Sequence, residues 1–132
     1  MWPMRRPASP WTGRVGQSSG KFMSSLQSLR LDPSLPMPES GSVGQEAHGS
    51  SDRRFLTGTW CHAGGKLDAT QRYDEVCVIL ARRVRLTNEA GEAREYTVGD
   101  SFVIPKGFKG TWETLEPVRK HYVIYDVDLV RS

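Results

Sequence analysis

Gly99-Asp100-Ser101-Phe102-Val103-Ile104-Pro105-Lys106-Gly107-Phe108-Lys109-Gly110-Thr111-Trp112 decides the fold of this chain. Gly99-Asp100 reads as a turn and Phe102-Val103-Ile104 as a short apolar strand. Pro105 to Gly110 turns again, and Thr111-Trp112 begins another strand. Punctuation this dense belongs to a small all-β sandwich or barrel, in which each strand buries one face and the connections are short.

The neighbouring segments carry the same pattern outward. Upstream, Arg83–Thr87 and Ala93–Val98 form a hairpin around Asn88-Glu89-Ala90-Gly91, with glycine where a positive φ is needed. Tyr73–Leu80 is a strongly apolar strand flanked by charge, and Phe55–His62 alternates until Gly64-Gly65 stops it. Downstream, Thr111–Leu115 and Lys120–Val127 complete the series. No segment of 53–132 sustains a 3.6-residue apolar period over three turns, so this domain is read as all β.

Residues 1–52 differ in character. Residues 1–22 hold four basic residues, Arg5, Arg6, Arg14 and Lys21, and no acidic one. They lack the apolar core of a signal peptide, and Pro3, Pro7 and Pro10 oppose the amphipathic helix of a transit peptide. A disordered leader is expected, with Met23 as an alternative start to Met1. Within 26–31, Leu29 and Leu31 alternate as in an arm strand. Residues 41–51 are small and polar, as in a flexible link, so poor order is expected up to the barrel at 53.

Composition narrows the function classes. The net charge is +3, and residues 51–132 hold 13 Lys/Arg against 12 Asp/Glu with no basic stripe. That argues against nucleic acid as a partner. The longest apolar run, Val76 to Ala81, is six residues, against the roughly 20 needed for a spanning helix, so no membrane span is expected. Cys61 and Cys77 are too few for a disulfide framework and follow no secretory signal. A reducing cytoplasm and inert buried thiols are expected.

The ordered motifs resemble a known family. Tyr73 to Leu80, Arg83 to Thr87, Gly91 and Gly99 to Gly107 resemble the cupin double-stranded β-helix, a jelly-roll barrel. Gly58-Thr59-Trp60, Gly107 to Glu113 and Arg119-Lys120-His121-Tyr122 are similar to segments of the small group related to the (S)-ureidoglycine aminohydrolase cupin domain. The resemblance covers Phe55 to Tyr125. It implies a divalent metal held by His-x-His-x3-Glu and by the His of Gly-x5-Pro-x-Gly-x2-His-x3-Asn. Gly99, Pro105, Gly107 and Glu75 match those motifs. Ala69, Gln71 and Gly110 stand at the three His positions, Thr114 at the Asn, and Arg82 at the first motif's closing Gly. One carboxylate and one amide are too few donors for zinc or a transition metal, so no cofactor and no tightly bound metal are expected. Cys61, His62, Cys77 and His121 are the other donors available, but adjacent Cys61 and His62 point to opposite faces of a strand. A weakly held Mn²⁺ is the alternative.

What remains is a pocket. Period 2 from Gly110 places Trp112 and Thr114 on the face where the family carries a metal-ligating His. A cavity lined by Trp112, Tyr73, Glu75, Gln71, Trp60 and His121 suits a small polar or planar metabolite. Glu75, inside an apolar strand, needs a partner: ligand, or a salt bridge to Arg72, Arg82 or Arg119. Taken singly, Trp60 and Trp112 read more readily as core packing than as pocket wall. The leading expectation is a small-molecule-binding cupin. The alternatives are an amidohydrolase or isomerase of a ureido compound with Glu75 as catalytic base, and a non-catalytic interaction module with a closed core. Val76, Val78 and Leu80 face away from Glu75 and are the expected homodimer surface.

Overall fold

The computed structural model describes residues 26–29 and 35–127. The leader expected over 1–22 lies outside them. Of the arm strand expected at 26–31, residues 26–29 are described and form no strand; residues 30 and 31 lie outside. Nine strands follow in chain order: β1 Ser42–Gly49, β2 Phe55–His62, β3 Gly65–Asp68, β4 Asp74–Ala81, β5 Arg83–Asn88, β6 Ala93–Thr97, β7 Ser101–Ile104, β8 Gly110–Thr114 and β9 Val118–Tyr125. They form two sheets, β1-β2-β9-β4-β7 and β3-β8-β5-β6, and every pairing is antiparallel. Among the described residues no helix is long and apolar enough to cross a membrane.

The all-β expectation holds, and the structure adds two strands to it. The stretch expected as a flexible link is β1 and its turn. Ser42 to Gly49 has no apolar alternation because it is an edge strand, held by backbone pairing to β2 from Ser42↔His62 to Gly49↔Leu56. Glu46 and Arg53 tie its far end with an ion pair at 2.6 Å. β3 is four exposed residues paired to β8, too short to show a period.

The sheets pack face to face over Ile79, Val84, Cys77 and Val118, all essentially inaccessible to solvent, with Leu86, Ile104 and Trp112 beside them. Each such aliphatic side chain contributes about 1.5–3 kcal/mol by leaving water. In β4 the inward row is Glu75, Cys77 and Ile79; in β7 it is Phe102 and Ile104; in β8 it is Trp112 and Thr114. Outer faces are polar on the four-stranded sheet, where Arg83 and Arg85 pair with Glu95 at 2.9 and 2.7 Å. On the five-stranded sheet Val76 and Val103 lie directly opposite one another and exposed.

Between β4 and β5 the chain passes from one sheet to the other through a single residue. β4 ends at Ala81 and β5 begins at Arg83, so Arg82 alone makes the corner, with φ at 66°. A left-handed backbone is costly for a residue with a Cβ, which is why glycine is usual at such corners. Arg82 is exposed and its side chain takes no part in the described hydrogen bonds. Arg82→Gly is therefore expected to raise the unfolding free energy by about 0.5–1 kcal/mol, the strain relieved outweighing the extra entropy of the unfolded chain. Thermal unfolding of the two proteins checks it; an unchanged or lower midpoint counts against a strained corner.

Candidate functional site

One mouth of the barrel is assembled from three backbone ties. Ala69 N–H donates to the Gly110 carbonyl, Gln71 N–H to the Phe108 carbonyl, and Gly107 N–H to the Gln71 carbonyl, each at 2.9 Å. These bonds hold the segment before β4 against the Pro105 to Gly110 turn. They bring Ala69, Gln71 and Glu75 to one cavity of about 320 Å³. Gly110 is fixed by geometry: a Cβ there would run into the Thr87 carbonyl oxygen and come within 2.9 Å of the Phe108 ring. A histidine could not be restored at that position without moving β5.

The cavity wall brings together Gln71, Tyr73, Glu75, Trp60 and Trp112, five of the six expected site residues. His121 lies elsewhere. It is buried on the outer face of the five-stranded sheet, with Nδ1 3.1 Å from the Gly58 carbonyl and Nε2 3.5 Å from Thr57 Oγ1. The inward row of β9 is Val118, Lys120, Tyr122 and Ile124, which leaves His121 on the opposite face. The reason is register: Trp60 lies opposite Lys120, Gly58 opposite Tyr122 and Leu56 opposite Ile124, so an inward Trp60 forces an inward Lys120. Gly58 supplies the clearance, since a Cβ there would sit 2.7 Å from the Tyr122 hydroxyl.

Lys120 is the residue that strand counting missed, and it is the partner of Glu75. Its Nζ donates to Glu75 Oε2 at 2.7 Å, with both side chains at or below a tenth of full exposure. None of Arg72, Arg82 and Arg119 fills that role. The ammonium also lies 4.4 Å from the centre of the Trp112 ring and 4.8 Å from that of Trp60, positions that favour a cation through the ring quadrupoles. Two more donors reach Glu75: Gln71 Nε2 at 3.3 Å and the Cys77 thiol at 3.4 Å. Lys120 also approaches Cys77 Sγ at 3.6 Å.

Protonation follows from these contacts. Burial pushes the Cys77 thiol up to about 12, so it is neutral at neutral pH and the Coulombic attraction on Lys120 comes from Glu75. For Lys120 burial opposes the charge, but Cys77, where its thiol ionises at high pH, and Glu75 outweigh it and hold the ammonium above the ordinary lysine range. A raised lysine stabilises the fold at all pH below the unfolded value of about 10.4, and loses that contribution as pH rises through the folded value. Burial also raises the Tyr73 and Tyr122 phenols, so both present neutral hydroxyls.

The two tryptophans are themselves positioned. Trp112 Nε1–H donates to Thr114 Oγ1 at 2.8 Å, and that hydroxyl lies 2.7 Å from His62 Nδ1. With its oxygen accepting from Trp112, the Thr114 hydroxyl is set to donate to His62. His62 in turn stacks on Trp60, centroids 5.2 Å apart and planes within 12°. Trp60 meets Trp112 edge to face at 5.4 Å. Burial lowers the His62 pKa, which suits an acceptor imidazole.

The cavity does not fit a resident divalent metal. Among the described residues no three His, Cys, Asp or Glu side chains gather, and Glu75, the single carboxylate matching the metal motifs, is bonded to an ammonium. A cation beside it would face that positive charge at close range.

Two antiparallel sheets closed around a cavity, with the Pro105 to Gly110 turn and Glu75 at its mouth, define a cupin. More narrowly, residues 49–122 match the profile of the EutQ-like cupin domain, and the chain belongs to that family. Among solved structures it is similar to a Salmonella typhimurium protein provisionally assigned as ethanolamine utilization protein Q. The two share 24% identity over 66% of this chain and 71% of that one, with a TM-score of 0.59. The Clostridium difficile EutQ protein shares 21% identity over 66% of this chain and 64% of its own, just under two thirds, with a TM-score of 0.58. A conserved Streptococcus pyogenes protein is 13% identical over 78% of this chain and 90% of its own, with a TM-score of 0.64. At these identities the likeness is one of fold. No curated protein matches the chain.

Removing one member of a buried pair leaves an uncompensated charge, which costs about 3–5 kcal/mol. Glu75→Gln and Lys120→Met should each destabilise on that scale, while the double substitution should cost clearly less than the sum. Urea unfolding of the four proteins measures the coupling. Strict additivity would mean that the pair is not formed.

Proposed function

We propose that this protein binds a small polar metabolite with a planar group in the barrel cavity, and that the Lys120 ammonium, in place of a metal ion, supplies the positive charge that orients it. The observation that supports this reading is a buried lysine in a cavity wall, held by a carboxylate and two aromatic faces. An ammonium has three N–H donors. Glu75 and Cys77 engage two of them, which leaves one for a ligand oxygen. Trp60 and Trp112 provide faces for the planar part, and Gln71 and the Tyr73 and Tyr122 hydroxyls offer further polar groups. Buried aromatic walls with a few fixed polar groups are the usual make-up of a small-molecule site.

The hydrolase reading, in which Glu75 acts as base on a ureido compound as in the ureidoglycine aminohydrolase group, has less support. Glu75 already accepts from Lys120, Gln71 and Cys77, so three of the roughly four lone-pair positions of its carboxylate are taken before a substrate arrives. The ethanolamine utilization named for the similar Salmonella typhimurium protein is carried here only as a context in which such a metabolite would arise. A homodimer through the outer face remains our proposal as well, resting on the exposed Val76 and Val103.

The test is native mass spectrometry and thermal shift against a metabolite panel, on protein purified without chelator. The expected result is a ligand that stabilises the parent but not Lys120→Met, and a midpoint unaffected by EDTA. A ligand response that needs added metal, or one that survives Lys120→Met intact, would overturn the proposal.

A further inference from the structure

The barrel has a second opening, on the side away from Trp60. Here the edge strands of the two sheets, β6 and β7, run past each other without pairing, and a groove of about 320 Å³ lies between them. Its walls are Leu86, Tyr96, Phe102, Ile104 and Phe108, with Arg94 on the rim. Tyr96 and Phe102 stack at 3.9 Å with planes within 14°, forming a slab across the gap. Ile104 lines this groove and the first cavity alike, so the two sites sit on either side of one side chain.

The groove's charges are unequally satisfied. Arg94 lies opposite Leu86 in the β5–β6 ladder and so belongs to the inward row, unlike Arg83 and Arg85, which pair with Glu95 on the outer face. No hydrogen bond or ion pair to its guanidinium is found among the described residues. Glu92, the other charged group of the lining, is occupied: Asn88 Nδ2 donates to its Oε1 at 2.8 Å and its backbone N–H donates to Asn88 Oδ1 at 2.9 Å. An unpaired guanidinium beside an aromatic cleft is a fork for a carboxylate and a slot for the ring that carries it.

We infer that the β6–β7 groove is a second ligand site, separate from the Lys120 cavity, that takes an aromatic carboxylate with its ring against Tyr96, Phe102 and Phe108 and its carboxylate on Arg94. The site is independent of the first proposal, because none of Glu75, Lys120, Trp60 and Gln71 touches it.

The probe is 2-naphthoate, with 2-naphthamide as its uncharged counterpart, titrated into the full chain and followed by backbone amide shifts in NMR. Naphthoate should produce saturable shifts at Arg94, Tyr96 and Phe108, and naphthamide should bind at least tenfold more weakly. Arg94→Met should weaken naphthoate by at least tenfold, and Glu92→Gln, which neutralises the carboxylate of the groove lining, should tighten it. Arg82→Met, at an exposed arginine outside the groove, keeps the chain's charge change while leaving binding unaltered. Lys120→Met, if folded, should leave the groove titration as it was. The inference fails if the shifts centre on Gln71 and Trp112, if naphthamide binds as well as naphthoate, or if Glu92→Gln weakens binding. It also fails if naphthoate produces no saturable shift while the groove signals change on dilution, since a second copy of the chain would then fill the groove.

Discussion

An ammonium and a carboxylate 2.7 Å apart inside a β barrel are stable only if every surrounding group is arranged for them. Taking two charges out of water costs several kcal/mol per ion, and the attraction between them recovers that only with good geometry and further hydrogen bonds. This barrel supplies both. Gln71 and Cys77 complete the shell of Glu75, Trp60 and Trp112 flank the ammonium, and Thr114 and His62 fix the two indoles. Packing, polar satisfaction and the candidate site are here one arrangement, and a change at Thr114 or His62 reaches Lys120 through the rings.

The same pair explains how a cupin can depart from its family's metal motifs and keep a polar interior. A divalent ion concentrates positive charge at the mouth of the barrel and orients ligand oxygens there. An ammonium on β9 leaning toward Glu75 places a single positive charge beside the same carboxylate. In the function we propose, that charge orients a bound metabolite. Gly110 makes the departure structural, since β5 passes where a side chain on that residue would stand.

Most of the fold was legible because it is written locally. Gly99 and Gly107, with φ at 92° and 93°, mark turns that no other residue type would occupy as easily, and the apolar run between them is a strand. β1 was illegible for the opposite reason: an edge strand is held by its backbone, and Ser-Val-Gly-Gln-Glu-Ala-His-Gly carries no side-chain period to read. In the site, Trp112, Glu75 and Gln71 follow from parity and motif position. Lys120 and Tyr122 do not, because strand alternation alone does not say which of the two rows of β9, Lys120 and Tyr122 or His121 and Val123, faces inward. The signal was present in the alternation Val118, Lys120, Tyr122, Ile124, but a lysine in an apolar row is readable as inward only once its neighbour across the ladder, Trp60, is known.

The central claim is that Glu75 belongs to Lys120 and not to a metal. A crystal structure of protein purified without chelator, with anomalous data collected above the edges of manganese and zinc, tests it directly. The account predicts Lys120 Nζ within hydrogen-bond distance of Glu75 and no anomalous peak in the cavity. An anomalous peak on Glu75, with Lys120 turned away from it, would contradict the account.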